Sequence, residues 1–496
     1  MTTTTDHVPH GVDAQSQEPD PRRWLALGIV AVAQLMVVLD ASIVNIALPH
    51  AQTDLHISTA DRQWVITAYT LAFGGLLLLG GRIADFAGRK RAFVGGLLGF
   101  AAASALGGVA PNAGLLFAAR ALQGAFGAVL APASLSLLAV TFTESKERAR
   151  AFGVYGAISG GGAAIGLIVG GLLTEFASWR WCLLVNVPIA LIAAAAALPI
   201  VRESRAAGHT SYDVPGVVAV TAGLVLLVYG FTKAAEDGWS ASVTLGLLAA
   251  AVALLVAFVV IEIRSAAPLL PLRVPLERNR GASYLSSLLI GAGLFAMFLF
   301  LTYYFQTSLG YSALRTGFAF LPFSAGIIVS AGAASQLLPR TGPKILMAAG
   351  SLLTTGGMLL LIRIGLDTGY ASHVLPAEVL MSVGMGLVFV PLASTALIGV
   401  ESHDAGVASA LVNTTQQVGG SLGTALLNTV FATAVTSYVA DHDAGPASQA
   451  QALISGYTTA FAWSAIILFV AFVVIVVLLR AGRDEVPTDG VPVHAG

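Results

Sequence analysis

Fourteen long apolar runs constrain this chain more than anything else in it. They cover roughly 24–48, 61–80, 91–110, 114–138, 149–172, 181–199, 213–231, 240–262, 281–305, 314–336, 343–362, 374–398, 405–434 and 457–479. An α-helix rises about 1.5 Å per residue, so ~20 apolar residues cross the roughly 30 Å hydrocarbon layer of a bilayer. Inside that layer every backbone N–H and C=O needs a partner within the chain, which a single run obtains only as a helix. The chain is therefore expected to be an all-α polytopic membrane protein. Its charged content of 10% points the same way, because soluble domains carry about 25%.

The polar segments between the runs fix an orientation. With both chain ends on one side, nineteen of the 25 Lys and Arg fall in segments on that side. Five (Arg62, Arg180, Lys233, Arg315 and Arg363) fall on the other side, and Arg120 lies inside a run. Basic residues concentrate on the cytoplasmic side of membrane proteins, so both termini are expected there. Residues 1–23 and 480–496 are read as cytoplasmic tails. The first is polar, lacks the order of a cleaved leader and is expected to be disordered. The polar stretch 435–456 is expected to be an extracellular loop.

Several function classes drop out. Cys182 is the one cysteine, so an intrachain disulfide is excluded. No zinc-protease, paired-cysteine or phosphate-loop motif occurs, and nothing has room for the nucleotide-binding domain of an ATP-driven pump. No metal, cofactor, covalent chemistry or nucleic-acid partner is expected.

The remaining signals are polar or glycine-rich breaks in the apolar pattern. Residues 81–91 read Gly-Arg-Ile-Ala-Asp-Phe-Ala-Gly-Arg-Lys-Arg and are expected to form a short basic cytoplasmic turn. Asp85 sits among Arg82, Arg89, Lys90 and Arg91, and Gly81 and Gly88 permit tight turning. Asp40 lies about 16 residues into the first run, ~24 Å along a helix. A carboxylate at that depth is costly and usually serves a pathway or a proton step; the alternative is a structural hydrogen bond to a neighbouring helix. Arg120 and Gln123 are three apart in the fourth run and share a helix face. Gln34, Asn45 and Tyr69 in the first two runs, Gln123 in the fourth and Tyr303 and Tyr304 in the ninth are candidate cavity residues. So are Asn413, Gln416 and Gln417, part of a polar cluster that cannot all face lipid cheaply. Gly162, Gly166 and Gly170 place small residues four apart on the fifth run, a spacing that lets helices approach closely.

Together these stretches resemble the major facilitator superfamily of secondary transporters, over approximately 24–480. The basic turn resembles the family's loop between helices 2 and 3, with Phe86 where a basic residue is usual. Leu39 to Pro49 (LDASIVNIALP) resembles the first-helix motif of the fourteen-helix drug:proton antiporter branch, with Ser42 in place of Thr. The stretch around Arg120 resembles a fourth-helix motif whose Arg is linked to proton transfer. The glycine-rich fifth run resembles the antiporter signature, with Leu167 where Pro is usual. Trp179, Arg180, Trp181, Asn186 and Pro188 resemble the next stretch of that branch. Some of its cation exporters carry acidic residues in the thirteenth helix; none is present here, which argues against dicationic substrates.

The resemblance implies a major facilitator fold of 14 transmembrane helices. Two six-helix bundles, 24–199 and 281–479, would flank an inserted helix pair, 213–262. It implies proton-coupled efflux of lipophilic drugs, antibiotics or related metabolites by alternating access, in a bacterial cytoplasmic membrane, by a monomer surrounded by lipid. Asp40 and Arg120 would couple protons. Gly81, Asp85, Gly88, Arg89, Lys90, Gly162, Gly166 and Gly170 would serve conformational gating. A proton-coupled importer and a non-transporting receptor or scaffold are the alternatives.

Overall fold

The computed structural model describes residues 21–142, 144–205, 213–265, 268–400, 405–442 and 445–482. Most of the two tails thus lies outside the described residues. Fourteen long helices run through the described chain, which contains no strand. They are α1 Arg23–Asp54, α2 Trp64–Ala87, α3 Arg89–Gly108, α4 Ala113–Thr141, α5 Ser145–Phe176, α6 Trp181–Ile200, α7 Val214–Asp237, α8 Ser242–Arg264, α9 Arg278–Ser308, α10 Ala313–Thr341, α11 Pro343–Leu361, α12 Tyr370–Thr395, α13 Ala405–Asp441 and α14 Pro446–Leu478. Thirteen are long and apolar enough to span a membrane, and α5 contributes the shorter apolar stretch Gly162–Phe176 at the end of a 32-residue helix.

Two expected loops are helix instead. The turn expected over 81–91 is reduced to Gly88, with α2 ending at Ala87 and α3 starting at Arg89. Gly88 has φ +112, which L side chains rarely adopt, and every other residue of the stretch tolerates a helix. Gly81 is therefore a mid-helix residue and makes no turn. The loop expected over 435–456 is likewise mostly helical, because α13 continues to Asp441 and α14 begins at Pro446. Those residues are rich in Ala, the best helix former, and polarity there does not break the helix.

Other breaks follow local chemistry. α6 is interrupted at Val185, between Trp181–Leu184 and Asn186–Ile200. Its second piece has Pro188 in its first turn, where a missing N–H costs nothing. α9 ends in a π-helical turn, Tyr304–Ser308, and α12 begins with one, Tyr370–Val374. Pro322 opens the long part of α10 after a break at Phe320, whereas Pro391 lies inside α12.

Helix pairing follows one plan used twice. α1 packs on α5 and α6, α2 on α4, and α3 on α4 and α6. α9 packs on α13 and α14, α10 on α12, and α11 on α12 and α14. Adding eight to each number in the first set gives the second. Contacts between the sets obey the same rule crosswise, α2 with α13 and α5 with α10. α7 and α8 pack on each other, and α7 lies along α2 and α13. α8 leaves Leu245, Val252, Val256 and Ile263 exposed, as a lipid-facing helix does.

Candidate functional site

A buried polar cluster is assembled from five of the first six helices. α1 supplies Asp40, α4 supplies Arg120 and Gln123, α3 supplies Ser104 and α6 supplies Asn186; all five side chains are buried. Arg120 Nη1 donates to Asp40 Oδ2 at 2.6 Å and to Gln123 Oε1 at 2.8 Å. Gln123 Nε2 donates to Asp40 Oδ1 at 2.9 Å and to Ser104 Oγ at 2.7 Å. Asn186 Nδ2 donates to the same Oδ1 at 2.7 Å. α2 adds the Val65 carbonyl, 2.9 Å from Arg120 Nε, and the Tyr69 ring, whose centre lies 4.4 Å from the guanidinium carbon.

Asp40 thus accepts from three N–H groups on three side chains, a set that suits an ionised carboxylate, which can only accept. Taking two charges out of water costs several kcal/mol per ion, and such a pair persists when its remaining donors and acceptors are also matched. Asn186 reaches the cluster from the first residue of the second piece of α6.

α5 holds α1 in place from outside the cluster. A methyl added to Gly162 would meet Val38 at 3.0 Å, and one on Gly170 would meet Ile43 at 2.8 Å; one on Gly166 would overlap Ser42. The three glycines bring α5 against the segment that carries Asp40. The opposite side of α5 meets α10, where Gly317 accommodates the Leu167 carbonyl.

The nine residues expected around a cavity separate into groups. Tyr69 and Gln123 are enclosed in the ion-pair cluster and face no open space. Tyr304 is also buried, against Phe305 and Tyr457, with its hydroxyl donating to the Gly365 carbonyl at 2.9 Å. Tyr303 is buried under Arg62 and bonds Gln52 of α1. Burial in the ion-pair cluster (Tyr69, Gln123), among aromatic rings (Tyr304) and under Arg62 (Tyr303) thus removes these four from a solvent-lined wall. Gln34 accepts from Tyr155 of α5 at 2.6 Å, and Asn45 donates to the Ala41 carbonyl of its own helix. Asn413 is exposed, and Gln416 and Gln417 are half-buried. A hollow of about 880 Å³ opens instead at the ends of α1, α5 and α9, lined among others by Asp54, Glu175, Arg180 and Gln306.

At the α2–α3 joint, Asp85 Oδ1 accepts from Arg89 Nη2 at 3.0 Å and Nε at 3.2 Å. Lys90 Nζ donates to the Leu198 carbonyl at 2.6 Å. Glu203 has no sequence signal beyond being an acid near basic residues, yet its carboxylate accepts the backbone N–H of Lys90 at 3.1 Å and of Arg91 at 3.3 Å. It caps α3 at the end where the helix dipole is positive.

Arg62 is a second residue that the sequence undersold as an outer charge. It is buried, with Nε donating to Asn428 of α13 at 3.1 Å and its guanidinium carbon 4.0 Å from the Tyr303 ring and 4.7 Å from that of Phe431. Asn428 returns a bond to the Thr59 carbonyl at 2.9 Å, Gln306 donates to the Ile46 carbonyl at 3.0 Å, and the Leu314 N–H donates to Glu175 at 3.0 Å. All of these join the first six helices to the last six, at the face opposite the start of α1 and the end of α14.

Known proteins place this arrangement. Residues 30–424 match the family model of the Major Facilitator Superfamily. The puromycin resistance protein pur8 of Streptomyces alboniger is 51% identical over 96% of this chain and 95% of its own. The cephamycin export protein CmcT of Amycolatopsis lactamdurans is 40% identical over 93% of this chain and 94% of its own. The crystal structure of a bacterial homologue of the human lysosomal transporter Spinster, inward-facing and unoccupied, superposes with a TM-score of 0.65 at 14% identity, covering 94% of this chain and 98% of that one, a likeness of fold. The chain is a multi-pass protein of the bacterial inner membrane, a secondary transporter and not an enzyme, and it belongs to the major facilitator superfamily.

Proposed function

We propose that this protein exports lipophilic antibiotics or related metabolites in exchange for protons. The observation that carries the proton half is the Asp40–Arg120 pair, a fully buried carboxylate held by Gln123 and Asn186. A carboxylate in low dielectric responds strongly to any change in its donors, so movement of one helix in the cluster alters its hold on a proton. The substrate half rests on relatives whose names record puromycin resistance and cephamycin export, together with full-length coverage of both chains.

In this reading 24–199 and 281–479 are the two bundles, α7 and α8 are an insertion, both termini are cytoplasmic and the monomer is the working unit. The twofold use of one pairing plan supports the two bundles. The bonds of Arg62, Asn428, Gln306 and Glu175 would then tie the two bundles together at the outer face, beside the hollow lined by Glu175 and Gln306. Gln34, Asn45, Asn413, Gln416 and Gln417 are the cavity residues that this arrangement favours. A proton arriving from outside would neutralise Asp40, loosen Arg120 and favour release of substrate; deprotonation toward the cytoplasm would reset the cycle.

The test is a compound-panel efflux assay in cells with an intact and with a collapsed proton gradient. Loss of efflux on collapse for at least one lipophilic antibiotic is expected. Efflux that persists unchanged would overturn the coupling, and accumulation in place of efflux would reverse the direction.

A further inference from the structure

Glu378 belongs to none of these contacts. It lies in the first α-helical turn of α12 and is fully buried. Its Oε2 is 3.2 Å from the Tyr370 hydroxyl, and its Oε1 is buried with no hydrogen-bond partner. The same hydroxyl is 2.7 Å from the Ala319 carbonyl oxygen. A phenol has one proton, and a carbonyl oxygen can only accept, so the shorter contact takes that proton. The contact to Glu378 Oε2 is the longer of the two, so Glu378 has at most a share of that one phenolic proton. An ionised Glu378 would have only that shared donor, and none at Oε1, to offset its lost hydration, whereas a protonated one avoids that cost.

The groups around it supply no counter-charge among the described residues. From α9 comes the Phe305 ring, 6.0 Å from that of Tyr370, and from α10 the Ala319 carbonyl. Tyr311 and Tyr304 are the other titratable side chains stacked on that aromatic group. Arg315 is exposed and lies over the Tyr311 ring, while Arg363, Asp367 and His373 are exposed near the same helix ends. None of these charged groups is bonded to Glu378.

Two further features mark the position. Tyr370 is the first residue of one π-helical turn, and Phe305 belongs to the other. Such turns hold one residue more than an α-turn and recur where helices shift at functional sites. α12 is also the counterpart of α4 in the repeated pairing plan. Counted back from the helix proline (Pro132 in α4, Pro391 in α12), Glu378 falls one residue from the place that Arg120 holds.

We propose that Glu378 is a second proton-binding site, which keeps its proton while Tyr370 covers it and exchanges it when the adjoining π turns rearrange. Its place in the transport cycle rests on the antiport reading above; its occupancy by a proton does not. The experiment uses purified full-length protein: wild type, Glu378→Gln and Tyr370→Phe, each checked for folding by thermal unfolding. Infrared absorption spectra at neutral pH are expected to show a carboxylic-acid carbonyl band in the wild type. That band should vanish in Glu378→Gln, a neutral isostere, and shift in Tyr370→Phe, which leaves the carboxyl intact. In liposomes, Glu378→Gln should lower the number of protons moved per substrate by one while retaining substrate binding. An identical band in Glu378→Gln, or none in the wild type, overturns the site. A band that vanishes with an unchanged proton ratio overturns its role in the cycle. Wild-type protein that moves no protons with substrate overturns the antiport reading, and the infrared comparison still decides whether Glu378 binds a proton.

Discussion

In the first six helices Gly162, Gly166 and Gly170 let α5 close on α1; in the last six, Gly419 and Gly423 let α13 close on Leu288 and Ala292 of α9. The helix pairs correspond, and so does the device. The buried charge does not. The first set encloses an ion pair, Asp40–Arg120, with all of Asp40's donors supplied. The second encloses Glu378, a lone acid with one phenol for company. Packing plan and polar load are thus separable. Small residues at fixed spacing decide how closely helices approach. Whether an acid can stay ionised inside depends on how many donors its neighbours bring.

The comparison breaks first at Asp40. Asp40→Asn keeps the shape and removes the ionisable group, so uphill efflux driven by a pH gradient should be abolished while substrate binding survives. Substrate-coupled proton flux in liposomes with equal amounts of folded protein measures this. Wild-type coupling in the variant would remove Asp40 from the proton pathway and leave Glu378 as the acid to examine.

Stability offers the next contrast. Arg120→Ala leaves Asp40 buried without its cation, a loss of about 3–5 kcal/mol. Glu378→Leu replaces a lone acid that lacks a counter-charge by an apolar side chain of similar size and should cost less than Arg120→Ala. Thermal or denaturant unfolding of both in one detergent gives the difference. Equal losses would mean that the two acids are held in the same way, against the hydrogen bonds described.

The shared packing predicts equality where the charges predict contrast. Gly170→Ala places a methyl 2.8 Å from Ile43, and Gly423→Ala places one on the Ala292 backbone. Overpacking of this kind costs about 1–3 kcal/mol. Both variants should lose stability in that range. A large loss at one and none at the other would show that the two glycine faces are not equivalent.

The sequence made the spans legible because lipid demands unbroken apolar helices, and it made Asp40 and Arg120 legible because charge inside such helices is rare. It hid the repeat, since the pairing plan survives in helix contacts after the residues have diverged. It mistook 435–456 for a loop because helices can extend beyond the bilayer with polar residues. Ser104 and Glu203 carried no signal: one is a lone Ser in an Ala-rich helix, and the other acts on backbone N–H groups distant in the chain. Arg62 looked like an ordinary outer charge until the Tyr303 and Phe431 rings were seen to enclose it.

The smallest expected effect sharpens the comparison at the helix joints. Gly88, with φ +112, separates α2 from α3, and Gly342, with φ +76, separates α10 from α11. Three residues before them stand Asp85 in one joint and Pro339 in the other. The second joint therefore turns without an acid, and making the turn does not require one. Asp85 pairs with Arg89 across the joint, and a half-buried surface pair of this kind is worth no more than about 1 kcal/mol. Its contribution is then expected in the motion of α2 against α3. Asp85→Asn should shift unfolding by no more than that amount, leave equilibrium substrate binding unchanged and slow turnover. Lys344→Ala, at the joint without an acid, should leave turnover as it is. The readout is efflux rate at matched protein level beside an equilibrium binding curve. If Asp85→Asn weakens substrate affinity and transports at the normal rate once saturated, the acid acts on the cavity and the joint-based account is wrong.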